Sequence, residues 1–538
     1  MLRLNREYID DLSKRGEWKA AGIALPAYDI GEAALRTVRS PRWLHFGVGN
    51  TFRGLIAMLQ QRLLESGEAD SGIIAVEAFD YDIIDRICAV YDNMTMLVRS
   101  SQSDGVLMNV VASVAEALRT DIDIGRLREI FCSPSLRMVS FTITEKGYDL
   151  TDMNGEMIQT IRDDTSSGLW RVRHILSIVT SMLYERFKAG GAPIALVSMD
   201  DLDRNGDVLR DAMLKIAGEW CAGDFMDDNF IGYLEDDSMV SFPFCVIDNI
   251  ASSPSEPVRE MLTDAGVADM SPLITARGAC AAPFVNAELA WRVVMEDKFP
   301  AGRPPLEKAG VCFADRKTVR DSGLVKLSAC FNPLHAALAI IGCLLNYEDI
   351  AEEMSDPVIK ALVMKVGYEE SLPTVAASGV FNPEAFLRET IEDRLTNPYL
   401  HDTPGRIAAD MSRKLDTCFG ATIRAHMERS GLNADGMIGI PLVIAAWFRY
   451  ILGTDDNLMP MRVSFDPALS EIEKCLDGVR AGDPGSYRTH LSSLLSDPFL
   501  FSVDLREAGL RDRVESLFVQ MLAGEGAVRR TLMSNLLL

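Results

Sequence analysis

The chain has 538 residues, enough for two or three cores, and its 48% hydrophobic and 25% charged residues are the balance of a soluble globular protein. Its formal net charge of −24 excludes an electrostatic nucleic-acid surface, which needs an excess of lysine and arginine. The opening MLRLNREYIDDLSKRG lacks the apolar stretch of a signal peptide, and no uninterrupted apolar run approaches the ~18 residues of a membrane span, so no membrane partner is expected.

Apolar β-rich runs alternate with helical patterns through the first half. RWLHFGVGN (42–50) reads as a strand and a glycine turn, TFRGLIAMLQQRLLES (51–66) as a helix and GIIAVEAF (72–79) as the next strand. Further strands are expected at 96–100, 137–144, 193–200 and 242–248, and strands separated by helices mean βαβ units with a largely parallel sheet. Beyond the Pro/Gly-rich FPAGRPPLEKAG (299–310) the pattern becomes amphipathic helix broken by Pro and Asn/Asp turns, as in HAALAIIGCLL, IPLVIAAWFRYILG and RDRVESLFVQM. The expected architecture is α/β: a Rossmann-like domain over 1–300 and a mostly α-helical domain over 301–538.

The ten scattered cysteines form no CxxC pair, the usage of reduced thiols in a cytoplasmic protein. The six histidines show no HxH or HExxH spacing, so no metal is expected, and His401 and His426 read as surface or core residues. Monomer and dimer both fit the pattern.

GVGNTFRG places Gly47 and Gly49 between a strand and a helix, where glycine permits a tight turn and close approach to a pyrophosphate at the helix N-terminus. Glu77, at the end of the next strand, suits ribose hydroxyls and disfavours a 2′-phosphate, so NAD is expected over NADP; alternatively it is a solvated strand end. Asn50, Phe52, Arg53 and Asp80 complete the expected cofactor site, with Arg53 either beside the phosphates or on the surface.

Six segments in order resemble the polyol-specific long-chain dehydrogenases, the family that includes mannitol 2-dehydrogenase, fructuronate reductase and tagaturonate reductase. They are HFGVGNTFRG, FTITEKGY (141–148), VSMDDLDRNGD (197–207), MEDKFPAGRPPLEKAGV (295–311), LSACFNPLHAALAIIG (327–342) and TNPYLHDTPGRIAADMSRKL (396–415). The wording is nearest to the mannonate oxidoreductase (fructuronate reductase) branch. The resemblance implies metal-independent hydride transfer between NAD(H) and a secondary alcohol or ketose, here D-mannonate and D-fructuronate, with tagaturonate reductase or mannitol 2-dehydrogenase activity as the alternatives. A lysine acts as general acid/base, an asparagine polarises the carbonyl and a histidine orients the substrate. Lys326, Asn332 and His335 stand at those places. The small-molecule partner is a sugar acid, met by Asp201, Asn205, Asp248, Arg406 and Lys414, in a cleft between domains. Arg406 is the expected carboxylate clamp, or else a solvated helix arginine; Arg303 and Lys298 are weaker candidates.

This chain departs from the family pattern at three places. The family lysine precedes the asparagine by five residues, where Leu327 stands, and Lys326 is six before. At about 100° per helical residue, Lys326 and His335 would fall on opposite faces. Either a helix starts afresh with Asn332 as N-cap and Pro333 behind it, or a π-turn absorbs the extra residue. Asp201 and Asn249 replace an asparagine and a basic residue. Arg406 and Lys414, eight residues apart, would share a face on one helix. A catalytically silent NADH-binding sensor is the rival reading of another class.

Overall fold

The computed structural model describes residues 1–152, 155–400 and 402–536. His401 therefore lies outside the described residues. The chain folds into two compact units, Met1–Arg320 and Asp321–Leu538.

In the first unit six strands form an all-parallel sheet: β1 (Trp43–Phe46), β2 (Ile73–Glu77), β3 (Val114–Arg119), β4 (Met138–Phe141), β5 (Ile194–Ser198) and β6 (Val240–Ser241). Their spatial order is β3-β2-β1-β4-β5-β6, so the direction of winding reverses at β1. That reversal opens a crevice at the carboxyl ends of β1 and β4, where doubly wound sheets bind ligands. Alternate residues feed two cores. Leu44, Phe46, Ile74 and Val76 enter one, while Trp43, Ile73 and Ala75 enter the other. Burial on both faces explains why these strands read as continuous apolar runs.

Two of the expected strands belong elsewhere. Thr95–Ser101 turns through three residues into Gly105–Val111, a link too short for a parallel crossover, and the two pair antiparallel in a separate five-stranded sheet. Cys245–Asp248 pairs antiparallel with Arg292–Glu296, which pairs in parallel with Cys312–Ala314. This last pairing carries the first unit past the Pro/Gly-rich stretch to Arg320.

The second unit is helical throughout its regular elements. Its central helix, Asn332–Leu345, packs against Pro404–Ile407 and Gly439–Ile451. Gly342 permits the tightest approach: a Cβ there would lie 2.0 Å from Glu353 Oε1 and 2.7 Å from Pro404 Cγ. The stretch Arg316–Leu345 has the length and apolarity to cross a membrane, yet 83% of its apolar window is buried within the protein. Val325–Cys330 is a π-helix, a wide turn that is frequent at functional sites.

Candidate active site

The glycine loop leaves β1 at the sheet's point of reversal. Gly47 has φ +96°, and a Cβ there would sit 2.0 Å from the Thr142 carbonyl oxygen, so no other residue fits. At Gly49 a Cβ would meet nothing within 4 Å. Open space beside a loop that runs into a helix is the condition for a pyrophosphate to approach backbone N–H groups.

The polar neighbours of this loop hold it in shape. Glu77 is nearly buried and accepts four backbone N–H bonds: Val48 N (3.0 Å) on Oε2, and Ala78 N (3.1 Å), Phe79 N (3.0 Å) and Asp80 N (3.3 Å) on Oε1. A carboxylate has about four acceptor positions. Glu77 therefore ties β2 to the glycine loop, and these four bonds occupy most of its acceptor capacity. Asp80 accepts from Thr275 Oγ1 at 2.6 Å.

Phe52 and Arg53, expected beside the cofactor, are also interior. Phe52 stacks on His45 with ring centroids 4.3 Å apart. His45 lies between the Ser140 and Thr142 hydroxyls at 2.7 and 2.9 Å, and burial pushes its pKa down to about 3, so the ring is neutral. Arg53 is buried, donates from Nη1 to Ala282 O (2.7 Å) and from Nη2 to Asn50 Oδ1 (2.9 Å), and burial lowers its pKa. Asn50 in turn donates to Ser252 O at 2.9 Å.

Around VSMDDLDRNGD the structural work falls on Asp200, which the sequence reading passed over. Its half-buried carboxylate accepts from Ile143 N (2.9 Å), Thr144 N (3.0 Å) and Tyr148 OH (2.7 Å). Burial raises its pKa to about 6 against the pull of those bonds. They hold Thr144 at φ +62°, a strained conformation for a β-branched residue that costs on the order of 1–3 kcal/mol. Asn205 is buried and bridges backbone: Nδ2 donates to Asp200 O and Cys245 O at 3.1 and 2.6 Å, and Oδ1 accepts from Cys245 N at 3.2 Å. It braces the turn after β5 against Cys245. Asp201 is exposed on the turn after β5.

Asp248 is fully buried, and the basic neighbour missing at Asn249 arrives across the strand pair. Arg292 stands opposite Asp248 in register and donates from Nη1 at 3.2 Å. Arg303 pairs with Asp297 and Glu307 and stacks 3.4 Å from the Phe313 centroid, while Lys298 pairs with Asp237. Both serve local structure.

In the helical unit Lys326 lies buried inside the π-turn Val325–Cys330, closed by Phe331 N donating to Lys326 O. The extra residue of the sequence is taken up there. The following helix begins at Asn332, but its N-cap is Phe331 and no side chain caps it, so Asn332 stands in the first turn instead of capping. His335, one turn on, has Nε2 3.1 Å from Asp402 Oδ2. Arg406 donates from Nε to the other oxygen, Oδ1, at 2.7 Å, and its Nη2 bonds the same atom. Burial would raise the Asp402 carboxyl, but His335 and Arg406 hold it down at about 2. Asp402 was missed in the sequence, although its i,i+4 spacing to Arg406 was a signal. The ring of Phe331 lies 5.0 Å from His335 and 4.6 Å from the guanidinium of buried Arg394.

Arg406 and Lys414 do not share a helix. The helix Pro404–Ile407 ends before Asp410, which has φ +54°, and Lys414 Nζ turns back to Ile407 O (3.4 Å) and Ala409 O (3.0 Å). His426 is buried, with Nε2 2.7 Å from Glu370 O.

The mannitol dehydrogenase Rossmann domain matches residues 41–308 and the mannitol dehydrogenase C-terminal domain matches 325–515. A D-mannonate oxidoreductase of Thermotoga maritima is 44% identical over 99% of this chain and 98% of its own length. A mannitol 2-dehydrogenase of Cereibacter sphaeroides is 28% identical over 81% of this chain and 84% of its own. Among solved structures, a Pseudomonas fluorescens mannitol 2-dehydrogenase in ternary complex with NAD and D-mannitol superposes with TM-score 0.81 at 26% identity, covering 99% of both chains. With both domains matched in order and a full-length relative at 44% identity, the chain belongs to the mannitol dehydrogenase family.

Proposed function

We propose that this protein is an NAD(H)-dependent oxidoreductase that interconverts D-mannonate and D-fructuronate. The observation that carries the reading is the 44% identity with a D-mannonate oxidoreductase across 99% of the chain. NAD is supported by the solved family member that holds it and by the open backbone at Gly49. When bound, NAD(H) supplies or accepts the hydride.

The remaining chemistry is assigned to the protein's own side chains. Reduction of a ketone places negative charge on its oxygen, which needs a donor and then a proton. Lys326, buried on a wide turn, delivers that proton, and the Asn332 amide donates to the same oxygen. In the reverse direction Lys326 takes the alcohol proton as hydride leaves carbon. His335 meets a substrate hydroxyl, and Asp402 fixes its ring through Nε2, so Nδ1 is the nitrogen that faces substrate. Arg406 has one edge on Asp402; the outer edge of its half-exposed guanidinium suits a carboxylate.

The test is NADH oxidation with D-fructuronate, D-tagaturonate and D-fructose, for wild type and Lys326→Ala. Turnover of D-fructuronate that falls by about 10²–10⁴-fold in the variant is expected for a lost general acid. Preference for either other substrate would overturn the substrate assignment. Unchanged turnover in Lys326→Ala would remove the proton donor, and NADH binding without any turnover would favour the silent sensor.

A further inference from the structure

The end of β2 carries an arrangement that the glycine-loop reading does not use. Phe79, two residues past Glu77, is 63% exposed. Over it lies Arg277, its guanidinium carbon 4.3 Å from the ring centroid and its Nε donating to Phe79 O at 3.2 Å. Arg277 comes from the hairpin Leu273–Ile274/Cys280–Ala281, whose turn includes Gly278 at φ +82°. That hairpin is tied to the same loop: Thr275 Oγ1 donates to Asp80 Oδ2 at 2.6 Å and Ala276 N to Asp82 Oδ2 at 2.8 Å. The residue after it, Ala282, accepts the Arg53 bond that braces the glycine loop.

Two consequences follow for a ribose at this place. Asp80 and Asp82 are engaged by the hairpin backbone and Thr275, and Arg277 forms no ion pair among the described residues, in a chain of net charge −24. The acid that would repel a 2′-phosphate, Glu77, is surrounded by four N–H dipoles. In sheets of this order the end of the second strand is where the adenosine ribose lies, and an arginine nearby accommodates a 2′-phosphate. Stacking on Phe79 pre-orients the guanidinium plane, which lowers the ordering cost of meeting a phosphate.

We propose that Arg277, held on Phe79, is the coenzyme-specificity residue, and that it lets the protein bind a 2′-phosphorylated dinucleotide as well as the unphosphorylated one. It would extend the coenzyme range beyond the NAD expected from Glu77, and it rests on the dinucleotide reading of the glycine loop. The test is equilibrium titration of the full chain with NADH and NADPH by nicotinamide fluorescence, without substrate. These two ligands differ only in the 2′-phosphate.

Wild type is expected to bind both within about tenfold of each other. Loss of a charge-assisted contact is worth about 1.5–3 kcal/mol, so Arg277→Ala should weaken NADPH by roughly 10–100-fold. NADH should stay within about threefold of its wild-type dissociation constant. Arg277→Glu should abolish NADPH binding and spare NADH, and Phe79→Ala should weaken NADPH less than Arg277→Ala does. Wild type that binds NADH but not NADPH would overturn the proposal, as would Arg277→Ala weakening both equally or neither. Failure to bind either nucleotide would instead remove the dinucleotide reading on which it stands.

Discussion

The two units of this chain use their polar residues differently. In the Rossmann unit, Glu77, Arg53, Asn205 and Asp200 aim their donors and acceptors chiefly at backbone groups. In the helical unit, His335, Asp402 and Arg406 bond to one another as a chain of side chains. A pyrophosphate recognised by backbone needs a loop held to a fraction of an ångström, and buried carboxylates and amides hold it. A reacting carbonyl needs groups that change protonation state, and only side chains do that.

That contrast can be broken most severely at Gly47. Gly47→Ala places a Cβ 2.0 Å from Thr142 O at positive φ, and a loss on the order of 3–5 kcal/mol is expected. Chemical denaturation and NADH titration would register it together. Intact NADH affinity in a folded variant would show that the loop is less constrained than its geometry indicates.

Glu353 tests the helical unit. Both of its carboxyl oxygens are buried without a hydrogen-bond partner among the described residues, and burial raises its pKa to about 10 from 4.5. The folded state keeps the proton that the unfolded state releases above pH ~4.5, so this residue's contribution declines as pH rises from there toward 10. Between pH 4.5 and 7 the decline is on the order of 3 kcal/mol. Glu353→Gln should therefore flatten the fall of Tm between pH 5 and pH 8. An unchanged slope would mean that the carboxyl finds a partner.

Asp402 sharpens the comparison from the opposite direction. Its folded pKa of about 2 lies below the ordinary aspartate value of 3.8, so its stabilisation is full above pH ~4 and is lost as pH falls toward 2. The amount is on the order of 2 kcal/mol. Asp402→Asn should remove that acid-side slope and lower kcat/KM by about 10-fold by loosening His335. It should also shift the pH profile of kcat/KM, a change that a residue with only a packing role would not produce. The smallest effect belongs to half-exposed Arg406. Arg406→Ala should raise KM for an acid substrate by about 10-fold, with little change for D-fructose. Equal effects on both would end its role as carboxylate clamp.

Much of this was legible along the chain because it is local. The apolar runs of β1, β2, β4 and β5, the Gly47–Gly49 turn, the helical half and the π-turn around Lys326 each arise from residues within a few positions of one another. Sheet membership was less so. Thr95–Ser101 and Cys245–Asp248 have the composition of parallel strands yet pair antiparallel, because their partners and the lengths of their links decide it.

The amino-acid sequence by itself determined the alternation of strand and helix, the position of the glycine turn at Gly47, and membership of a family through six ordered motifs. Tertiary structure alone decided what each polar side chain does. Asp402 reaches His335 across 67 residues, Arg292 answers Asp248 across 44, and Arg53 finds Ala282 across 229. A hydrogen bond is satisfied by whichever partner folding brings within about 3 Å, and one-dimensional spacing carries no record of that distance.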